Sequence, residues 1–310
     1  MRIAVATIAL NEEKHVERWV DSARDADLLL IADTGSTDGT EPLAEDLGVT
    51  VHRLAVGPWR FDVARNSLLS LLPAWDDLVV ITLDMDEVLV PGWRNALESS
   101  PAADRYTYRY VWSWRDGEPD VSFSADRCHS RFGYQWKHPV HEVLFRTSPS
   151  PEVREDGGFE IHHHADDSKP RSQYLPLLEQ AARESPHDDR IAHYYARELC
   201  FLGYWTASRV EFMRHLALPT AVWAPERAAS YRYLADMDDF PERWLLRSVA
   251  EAPNRREGWV RLAENYLSRG LAREAAGAAA RALQITERTF DYMTDAKSWD
   301  DGYLRTFLEV

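Results

Sequence analysis

The sequence predicts a parallel α/β domain followed by an all-α domain. In the first hundred residues, apolar runs of strand length alternate with segments whose apolar residues recur at the period of an amphipathic helix. From about residue 171 onward the strand signals fade and helical runs follow one another. Alternating strands and helices are typical of a parallel sheet with helices on its faces. We therefore assign residues 1–168 to the α/β domain and residues 169–310 to the helical domain.

Length and composition indicate a globular chain with two cores. The 310 residues exceed one average domain, and 45% hydrophobic with 28% charged residues is an ordinary globular composition. The net charge of −15 comes from 51 acidic and 36 basic residues. An acidic surface repels nucleic acid and anionic lipid, so neither is expected as a partner.

Cysteine usage and hydropathy indicate the compartment. Cys128 and Cys200 have the spacing of neither a metal site nor a redox motif. No run of about 18 uncharged apolar residues occurs, so no transmembrane helix and no membrane partner are predicted. The apolar run at the start is followed at once by acidic residues, and we interpret it as a strand rather than a signal peptide. We expect a cytoplasmic protein.

Each predicted element of the first domain follows from its apolar pattern. The residues from Ile3 to Ala9 form an apolar run of strand length, and a helix with apolar residues at i, i+3, i+4 and i+7 follows from Val16 to Ala23. The pattern continues with a strand at 28–32, a helix at 41–47, a strand at 49–54, a helix at 63–72 and a strand at 78–83.

Polar residues follow three of these strands. Ligands of parallel sheets lie beyond the carboxyl ends of the strands, so these residues are the candidates for binding. They are Asn11 and Glu12 after the first strand, residues 33–38 after the second, and Asp84, Asp86 and Glu87 after the last.

Four motifs stand at these strand ends, in the order ALNEE, DTGSTDGT, FDVARN and LDMDE, between Ala9 and Glu87. In this order they resemble the family 2 glycosyltransferases of the GT-A fold, which have a Rossmann-like nucleotide-sugar-binding domain. The resemblance implies a metal-dependent, inverting hexosyltransferase whose donor is a nucleotide-sugar, usually a UDP-sugar. A nucleotide-binding α/β domain of another purpose is the alternative.

The paired acids of LDMDE, the DxD motif, are the expected metal ligands. The diphosphate of a nucleotide-sugar leaves with developing negative charge, which a divalent ion stabilises as a Lewis acid. Two carboxylates held at the end of a buried strand favour Mn²⁺ or Mg²⁺. The resemblance assigns Asp84 to the ribose or the metal and Asp86 to the metal. Alternatively, one of these acids caps a helix that begins near Pro91.

The resemblance also distributes the nucleotide over the other motifs. Asp33 corresponds to the acid that accepts a hydrogen bond from the base, and Thr7 and Asn11 lie where the first strand lines the nucleotide pocket. Arg65 suits a charge-assisted contact with the base or diphosphate, or else a surface ion pair with Asp62. Asn11 could instead be the N-cap of the first helix. The full set of expected donor contacts is Thr7, Asn11, Glu12, Asp33, Ser36, Arg65, Asp84 and Met85.

Residues 106–164 are expected to form the acceptor side. Aromatic residues at every second position from Tyr106 to Trp114 share one face of a strand, which is either core or a platform for a sugar, with core favoured. The run RCHSRFGYQWKHPVHEVLF then ends in Val140-His141-Glu142. It narrows the resemblance to the sublancin-type bacteriocin peptide S-glycosyltransferases, which implies a peptide or protein side chain as the acceptor.

An inverting transfer needs a base that removes the acceptor proton. We assign this role to Glu142, and expect His141 to orient the acceptor or the diphosphate. Glu87 and Asp126 are weaker candidates for the base.

A histidine is expected to complete the metal site, because GT-A enzymes commonly add one to the DxD acids. The family motif favours His163 within the run FEIHHHAD. Side chains alternate along a strand, so a register shift by one residue would select His162 or His164 instead. The run could also be a solvated strand end.

The helical domain carries a pattern of tetratricopeptide type. The matching positions are Trp259, Leu262, Ala263, Tyr266, Gly270, Ala275, Ala279 and Ala282. Gly203 stands 67 residues before Gly270, nearly two repeats of about 34 residues, so we predict three helical hairpins. Such repeats could hold an extended peptide, pair two chains into a homodimer, or only buttress the first domain.

Two classes of function fit these observations. The first is a glycosyltransferase acting on a peptide or protein, with a lipid, a small metabolite or a modified phage DNA base as other acceptors. The second is a binding module with a relic GT-A domain. The presence of LDMDE, Asp33, Arg65, VHE and the histidines favours the enzyme.

Overall fold

The computed structural model describes residues 1–166, 173–289 and 291–309. The chain divides into two compact units, Met1–Lys169 and Pro170–Val310. The boundary predicted between residues 168 and 169 lies outside the described residues. The first unit is α/β and the second is helical, which confirms the predicted fold class.

The first unit is built from strands and helices that alternate in its amino-terminal half. Its strands are β1 (Arg2–Ala9), β2 (Leu28–Asp33), β3 (Thr50–Arg53), β4 (Leu78–Thr82), β5 (Glu87–Leu89), β6 (Arg105–Arg115), β7 (Glu118–Ser130), β8 (Tyr134–Lys137), β9 (Val143–Arg146) and β10 (Arg154–His163). Its helices are α1 (Glu13–Ala23), α2 (Thr40–Asp46), α3 (Phe61–Leu71) and α4 (Trp93–Ser99).

Eight strands form one mixed sheet in the described part of this unit. Their spatial order is β3-β2-β1-β4-β7-β6-β10-β5. Strands β3, β2, β1 and β4 are parallel, whereas β7 runs antiparallel to both β4 and β6. Strand β10 then lies parallel to β6. The carboxyl ends of β1, β2 and β4 therefore meet at one edge, as the strand pattern predicts.

The strand that leads to the paired acids is anchored in the core. Every residue of β4 is buried. Helix α1 packs its apolar face on the sheet, and the indole Nε1 of its Trp19 donates a hydrogen bond to the carbonyl of Leu83 at 3.0 Å. Each fully buried large apolar side chain contributes roughly 1.5–3 kcal/mol. The position of the acids after Leu83 is thus fixed by packing on both sides.

The aromatic residues of β6 have two environments. Tyr106, Tyr108 and Tyr110 are buried in the core, as the packing interpretation predicts. The pairing of β6 with β7 shifts register between Val111 and Ser113, and Trp112 is 51% exposed. The end of β6 therefore leaves the core and presents an indole to solvent.

The second unit consists of α-helices in its described residues, apart from a short 3₁₀ turn at Ala296–Trp299. The helices are α5 (Tyr174–Glu184), α6 (Asp189–Phe201), α7 (Trp205–Ala217), α8 (Ala224–Asp236), α9 (Glu242–Glu251), α10 (Arg256–Ser268), α11 (Ala272–Leu283) and α12 (Asp301–Thr306). Consecutive helices pack against each other, and α8 also contacts both α6 and α10.

The turns of this unit match the repeat pattern in the sequence. Gly203 joins α6 to α7 with φ of 78°, and Gly270 joins α10 to α11 with φ of 74°. Both lie in the left-handed region, where a residue with a Cβ atom is strained. The hairpins α6–α7, α8–α9 and α10–α11 correspond to the three predicted repeats.

Among the described residues, no helix has the length and apolar character that crossing a membrane requires.

Candidate functional site

Acidic and basic side chains meet beyond the carboxyl end of β4. Arg65 on α3 is 5% exposed, and its Nη2 donates to Oδ1 of Asp84 at 2.8 Å. Its Nε donates to Oε1 of Glu142 at 2.5 Å. Burial works to raise the pKa of Asp84, but Arg65 and Arg127 outweigh it and hold that pKa well below its usual range. Arg65 thus joins the first acid of LDMDE to the acid predicted as the base.

A second guanidinium holds the acids from the other side. Arg127, on β7, donates from Nη1 to Oδ2 of Asp84 at 2.8 Å and from Nη2 to Oε1 of Glu87. The hydroxyl of Tyr110 donates to the same oxygen of Glu87 at 2.6 Å, and Oε2 of Glu87 accepts the backbone N–H of Asp84 at 2.8 Å. Burial raises the pKa of Glu87, although Arg127 opposes the shift. Glu87 therefore holds the backbone at Asp84 in place through these hydrogen bonds.

The second acid of LDMDE lies beside one histidine. Nε2 of His163 is 3.8 Å from Oδ2 of Asp86. The other ring nitrogen, Nδ1, donates to the carbonyl of Trp112 at 2.9 Å. A metal-binding histidine almost always donates its second ring nitrogen in this way, which leaves the first with a lone pair for the ion. The two atoms are 3.8 Å apart, close enough to be candidates for ligands of one divalent ion.

The two neighbouring histidines have other contacts. His162 Nε2 is 2.6 Å from Oε1 of Glu160. The ring of His164 stacks on Trp114 with centroids 6.1 Å apart, and its backbone N–H donates to the carbonyl of Asp86 at 2.8 Å. The geometry therefore distinguishes His163 from both neighbours, which alternation along the strand alone left open.

The VHE motif lies in the connection between β8 and β9. His141 has φ of 50°, an uncommon conformation for a residue with a side chain, and such strain is frequent at functional sites. The ring of Trp136, in β8, lies 5.2 Å from the guanidinium carbon of Arg65. This connection therefore brings Glu142 into contact with Arg65, which also binds Asp84.

Backbone N–H groups of the loop after β2 bind the carboxylate of Asp33. Oδ1 of Asp33 accepts the backbone N–H groups of Gly35 at 2.9 Å and Ser36 at 2.8 Å. Asp33 is 2% exposed, and its Oδ2 has no hydrogen-bond partner among the described residues. A buried carboxylate oxygen without a donor is costly, so it is suited to accept a hydrogen bond from a ligand.

The loop after β1 is hydrogen-bonded to the loop after β2. Oδ1 of Asn11 accepts the backbone N–H of Thr37 at 2.7 Å, and the backbone N–H of Asn11 donates to Oγ of Ser36 at 2.8 Å. The backbone N–H of Glu12 donates to Oγ1 of Thr40 at 2.7 Å. Thr7 is fully buried, and its hydroxyl donates to the carbonyl of Ile8 at 3.1 Å. Asn11, Asp33 and Ser36 are therefore joined by hydrogen bonds, whereas the bonds of Glu12 and Thr7 go to other residues.

One predicted contact and three alternatives are corrected by the structure. Met85 is 2% exposed and packs in the hydrophobic core, so its side chain cannot line a donor pocket. The N-cap of α1 is Glu12 rather than Asn11, whose side chain is engaged by Thr37.

Neither acid of LDMDE caps a helix, because the N-cap of α4 is Gly92. Arg65 does not pair with Asp62, which binds Arg60 instead at 2.9 Å. Asp126 accepts from Arg105 at 2.8 Å. Asp126 is therefore paired with a different arginine from Arg65 and Arg127, which bind Asp84.

Sequence reasoning missed Arg127 and Tyr110 as parts of this site. Arg127 lies near the end of the long strand β7, and its carboxylate partners lie about 40 positions earlier. The pairing of β7 with β4 brings them together, and no local motif reports that pairing. The available signal was a basic residue directly before the buried residues Cys128 and His129.

Comparison with known proteins gives one curated relative. No protein-family model matches the chain. An uncharacterized glycosyltransferase of Rickettsia bellii (strain RML369-C) is 25% identical over 166 residues, which cover 51% of this chain and 55% of that protein. The chain thus spans about half the length of the curated relative it matches. It has sequence similarity to a glycosyltransferase.

Two solved structures resemble parts of the chain. Glucosyl-3-phosphoglycerate synthase from Mycobacterium tuberculosis, in complex with Mn²⁺, UDP and phosphoglyceric acid, is 26% identical, with 35% of this chain and 43% of that chain covered and a TM-score of 0.30. The MamA protein is 14% identical, with 36% and 61% covered and a TM-score of 0.30.

Proposed function

We propose that the chain is a metal-dependent, inverting glycosyltransferase that moves a hexose from a nucleotide-sugar, specifically a UDP-sugar, to a side chain of a peptide or protein. The observation that carries this proposal is the pair formed by Asp86 and His163. A carboxylate and an imidazole nitrogen face each other across 3.8 Å at the sheet edge where nucleotides bind in parallel α/β domains.

The residues fit Mn²⁺ or Mg²⁺ at this position. Asp86 and Nε2 of His163 would hold the ion, and the oxygens of a diphosphate would complete its coordination. When bound, the ion supplies Lewis-acid stabilisation of the leaving diphosphate. Asp84 is held by two guanidinium groups, so we assign it to the donor ribose rather than to the ion.

We assign Asp33 to recognition of the nucleobase. Its Oδ1 is saturated by two backbone N–H groups, which fix the carboxylate plane, and its Oδ2 is left for an N–H of the base. Uracil offers such an N–H between two carbonyl groups, which supports a UDP-sugar as the donor.

Glu142 is the proposed base. The new bond forms between the acceptor heteroatom and the anomeric carbon, the bond from that carbon to the diphosphate breaks, and the acceptor proton moves to the carboxylate of Glu142. Arg65 holds Oε1 of Glu142, which leaves the second oxygen to receive the proton. His141, adjacent in the strained connection, would orient the acceptor.

The sublancin-type acceptor, a peptide side chain, is supported by the VHE connection beside Asp84 and by the helical hairpins that follow. The proposal also includes a homodimer formed through those hairpins and a cytoplasmic location.

The experiment is release of nucleoside diphosphate from UDP-, GDP- and TDP-sugars, with Mn²⁺, with Mg²⁺ and with chelator. We expect slow metal-dependent hydrolysis of one UDP-sugar even without acceptor. The matched control is Arg109→Gln, which alters an exposed charge of the same sheet. Release that continues in chelator, or release from no donor together with no donor-induced thermal shift, would contradict the proposal.

A further inference from the structure

A buried cluster of metal-binding side chains lies where the first two helical hairpins of the second unit meet. It consists of His193 on α6, His215 on α7 and Glu226 on α8. Both histidines are fully buried, and Glu226 is 2% exposed. One ring nitrogen of each histidine and one carboxylate oxygen of Glu226 all lie within 4.8 Å of one another. Two imidazoles and a carboxylate are a set of side chains that binds zinc in proteins.

One hydroxyl holds both imidazole rings. Oγ of Ser230, which follows Glu226 by one turn of α8, lies 2.9 Å from Nδ1 of His193 and 2.9 Å from Nδ1 of His215. A hydroxyl oxygen has two lone pairs, so it can accept an N–H from each ring. When both Nδ1 atoms donate, each neutral ring has its lone pair at Nε2. A metal-binding histidine almost always donates its other ring nitrogen in this way.

The Nε2 atoms of the two rings lack hydrogen bonds. Nε2 of His193 and Nε2 of His215 are both buried, and neither has a hydrogen-bond partner in the part of the chain that the structure describes. Oε1 of Glu226 is 3.3 Å from Nε2 of His215, but the two atoms do not have hydrogen-bond geometry. A buried polar atom without a partner destabilises the folded chain. Two such atoms in one cluster therefore indicate a ligand that binds both.

The carboxylate of Glu226 is held from its other oxygen. Oε2 of Glu226 accepts the hydroxyl of Tyr292 at 2.8 Å, which leaves Oε1 on the side of His215. Among the described residues, the ion-pair partner of Glu226 is this histidine rather than a lysine or an arginine. Buried carboxylates are normally paired with a cation or bound to a metal. A divalent ion would balance the charge of Glu226.

A hydrogen-bond network without an ion explains fewer of these contacts. In such a network, Ser230 would donate its hydroxyl to Nδ1 of His215 and accept the N–H of His193. The proton of His215 would then lie on Nε2, on the side of Glu226. Nε2 of His193 would remain buried without a donor. An ion bound by both Nε2 atoms leaves neither of them unpaired.

We propose that Nε2 of His193, Nε2 of His215 and Oε1 of Glu226 bind a zinc ion that joins α6, α7 and α8. Imidazole nitrogens favour Zn²⁺ over Mg²⁺ or Mn²⁺, and Zn²⁺ has no redox chemistry of its own. A solvent molecule would fill the fourth position of a tetrahedral site. The ion stabilises the helical unit and takes no part in sugar transfer. The inference is therefore independent of the proposed function and can fail while sugar transfer succeeds.

The test counts the zinc that the full chain retains. The chain carries Asp86→Ala, which removes the metal site proposed in the first unit, and is produced with Zn²⁺ in the medium and dialysed against chelator. By mass spectrometry of the elements we expect about one zinc ion per chain, because the ligands are shielded from water. X-ray absorption at the zinc edge should show two imidazole ligands. No retained zinc, or zinc with fewer than two imidazoles, would overturn the proposal.

His215→Asn in the same background tests a single ligand. The asparagine amide can keep the hydrogen bond to Ser230, but it has no atom at the position of Nε2, so the retained zinc should be lost. Ser230→Ala should weaken zinc binding about 10–100-fold in competition with a chromophoric chelator. His187→Asn, which changes an exposed histidine of the same unit, is the matched control and should retain the zinc. Equal zinc content in His215→Asn and His187→Asn would overturn the proposal.

A second measurement uses a variant chosen to preserve the fold. Glu226→Gln keeps the side-chain size and an acceptor for the hydroxyl of Tyr292, but loses the charge. The midpoint of thermal unfolding should be higher for zinc-loaded chain than for chain produced without zinc, because the ion binds the folded state. Glu226→Gln should show little of this difference, whereas Glu274→Gln, at an exposed position of α11, should show all of it. The same midpoint with and without zinc in all chains would show a hydrogen-bond network without an ion and contradict the proposal.

Discussion

At the scale of single residues, the site depends on which atom of each side chain is already engaged. His163 is distinguished from its neighbours because its Nδ1 is bonded to the Trp112 carbonyl and its Nε2 faces Asp86. Asp33 is distinguished because one oxygen is saturated and the other is not. The sequence motifs identified these residues, but hydrogen bonds to distant backbone atoms decide what each can bind.

Asp86→Ala should abolish metal-dependent release of nucleoside diphosphate. The loss should exceed the roughly 10–100-fold that is typical for a residue that only supports a metal ligand. The midpoint of thermal unfolding should change little, because Asp86 lies at the sheet edge rather than in the core. Donor hydrolysis assays and a melting curve check both parts, and activity within a factor of about two of the unmodified chain would refute the metal assignment.

Glu142→Gln should retain donor binding and lose transfer. Glutamine keeps an oxygen for Nε of Arg65 but cannot accept the acceptor proton. Titration calorimetry with Mn²⁺ and UDP measures the first property, and a transfer assay measures the second. Loss of UDP binding in this variant would instead place Glu142 in the donor site.

At the scale of elements, periodicity predicted the strands and helices but not how distant strands pair. Apolar runs and the i, i+3, i+4, i+7 spacing located β1 to β4 and their helices, because each pattern is local. The antiparallel insertion of β7 beside β4 joins residues about 50 positions apart, and no local signal encodes it. Arg127 was missed for that reason.

Arg127→Met should destabilise the first unit by about 3–5 kcal/mol, because it leaves the buried Glu87 without its cationic partner. Arg109→Gln, which breaks an exposed ion pair on β6, should cost less than about 1 kcal/mol. Urea unfolding of both variants measures the difference. Similar free energies of unfolding would show that Arg127 is not required for the fold.

At the scale of the whole molecule, the sequence predicted an α/β unit with a helical unit after it, and the repeat spacing predicted the hairpins. It could not predict what the helical unit presents to solvent. At the turn between α6 and α7, including the adjoining ends of both helices, four apolar residues are each more than half exposed: Phe201, Leu202, Tyr204 and Trp205. Contiguous exposed apolar residues of this size are uncommon on monomers.

The homodimer predicted through the helical repeats should therefore depend on this turn. We expect sedimentation equilibrium to give a dimer for the unmodified chain and a monomer for Tyr204→Asp/Trp205→Asp. Ser99→Asp, an exposed change in the first unit, is the control. A monomer for the unmodified chain, or a dimer that the double variant preserves, would contradict this prediction.

The central claim is that Asp86 and His163 hold a divalent ion that carries the donor diphosphate. The most direct measurement is pulsed electron paramagnetic resonance of the chain with Mn²⁺ and UDP, which detects a nitrogen bonded to the ion. We predict a nitrogen coupling that is kept in His162→Ala and His164→Ala and lost in His163→Ala. A spectrum without nitrogen coupling, or a coupling that survives His163→Ala, would contradict the claim.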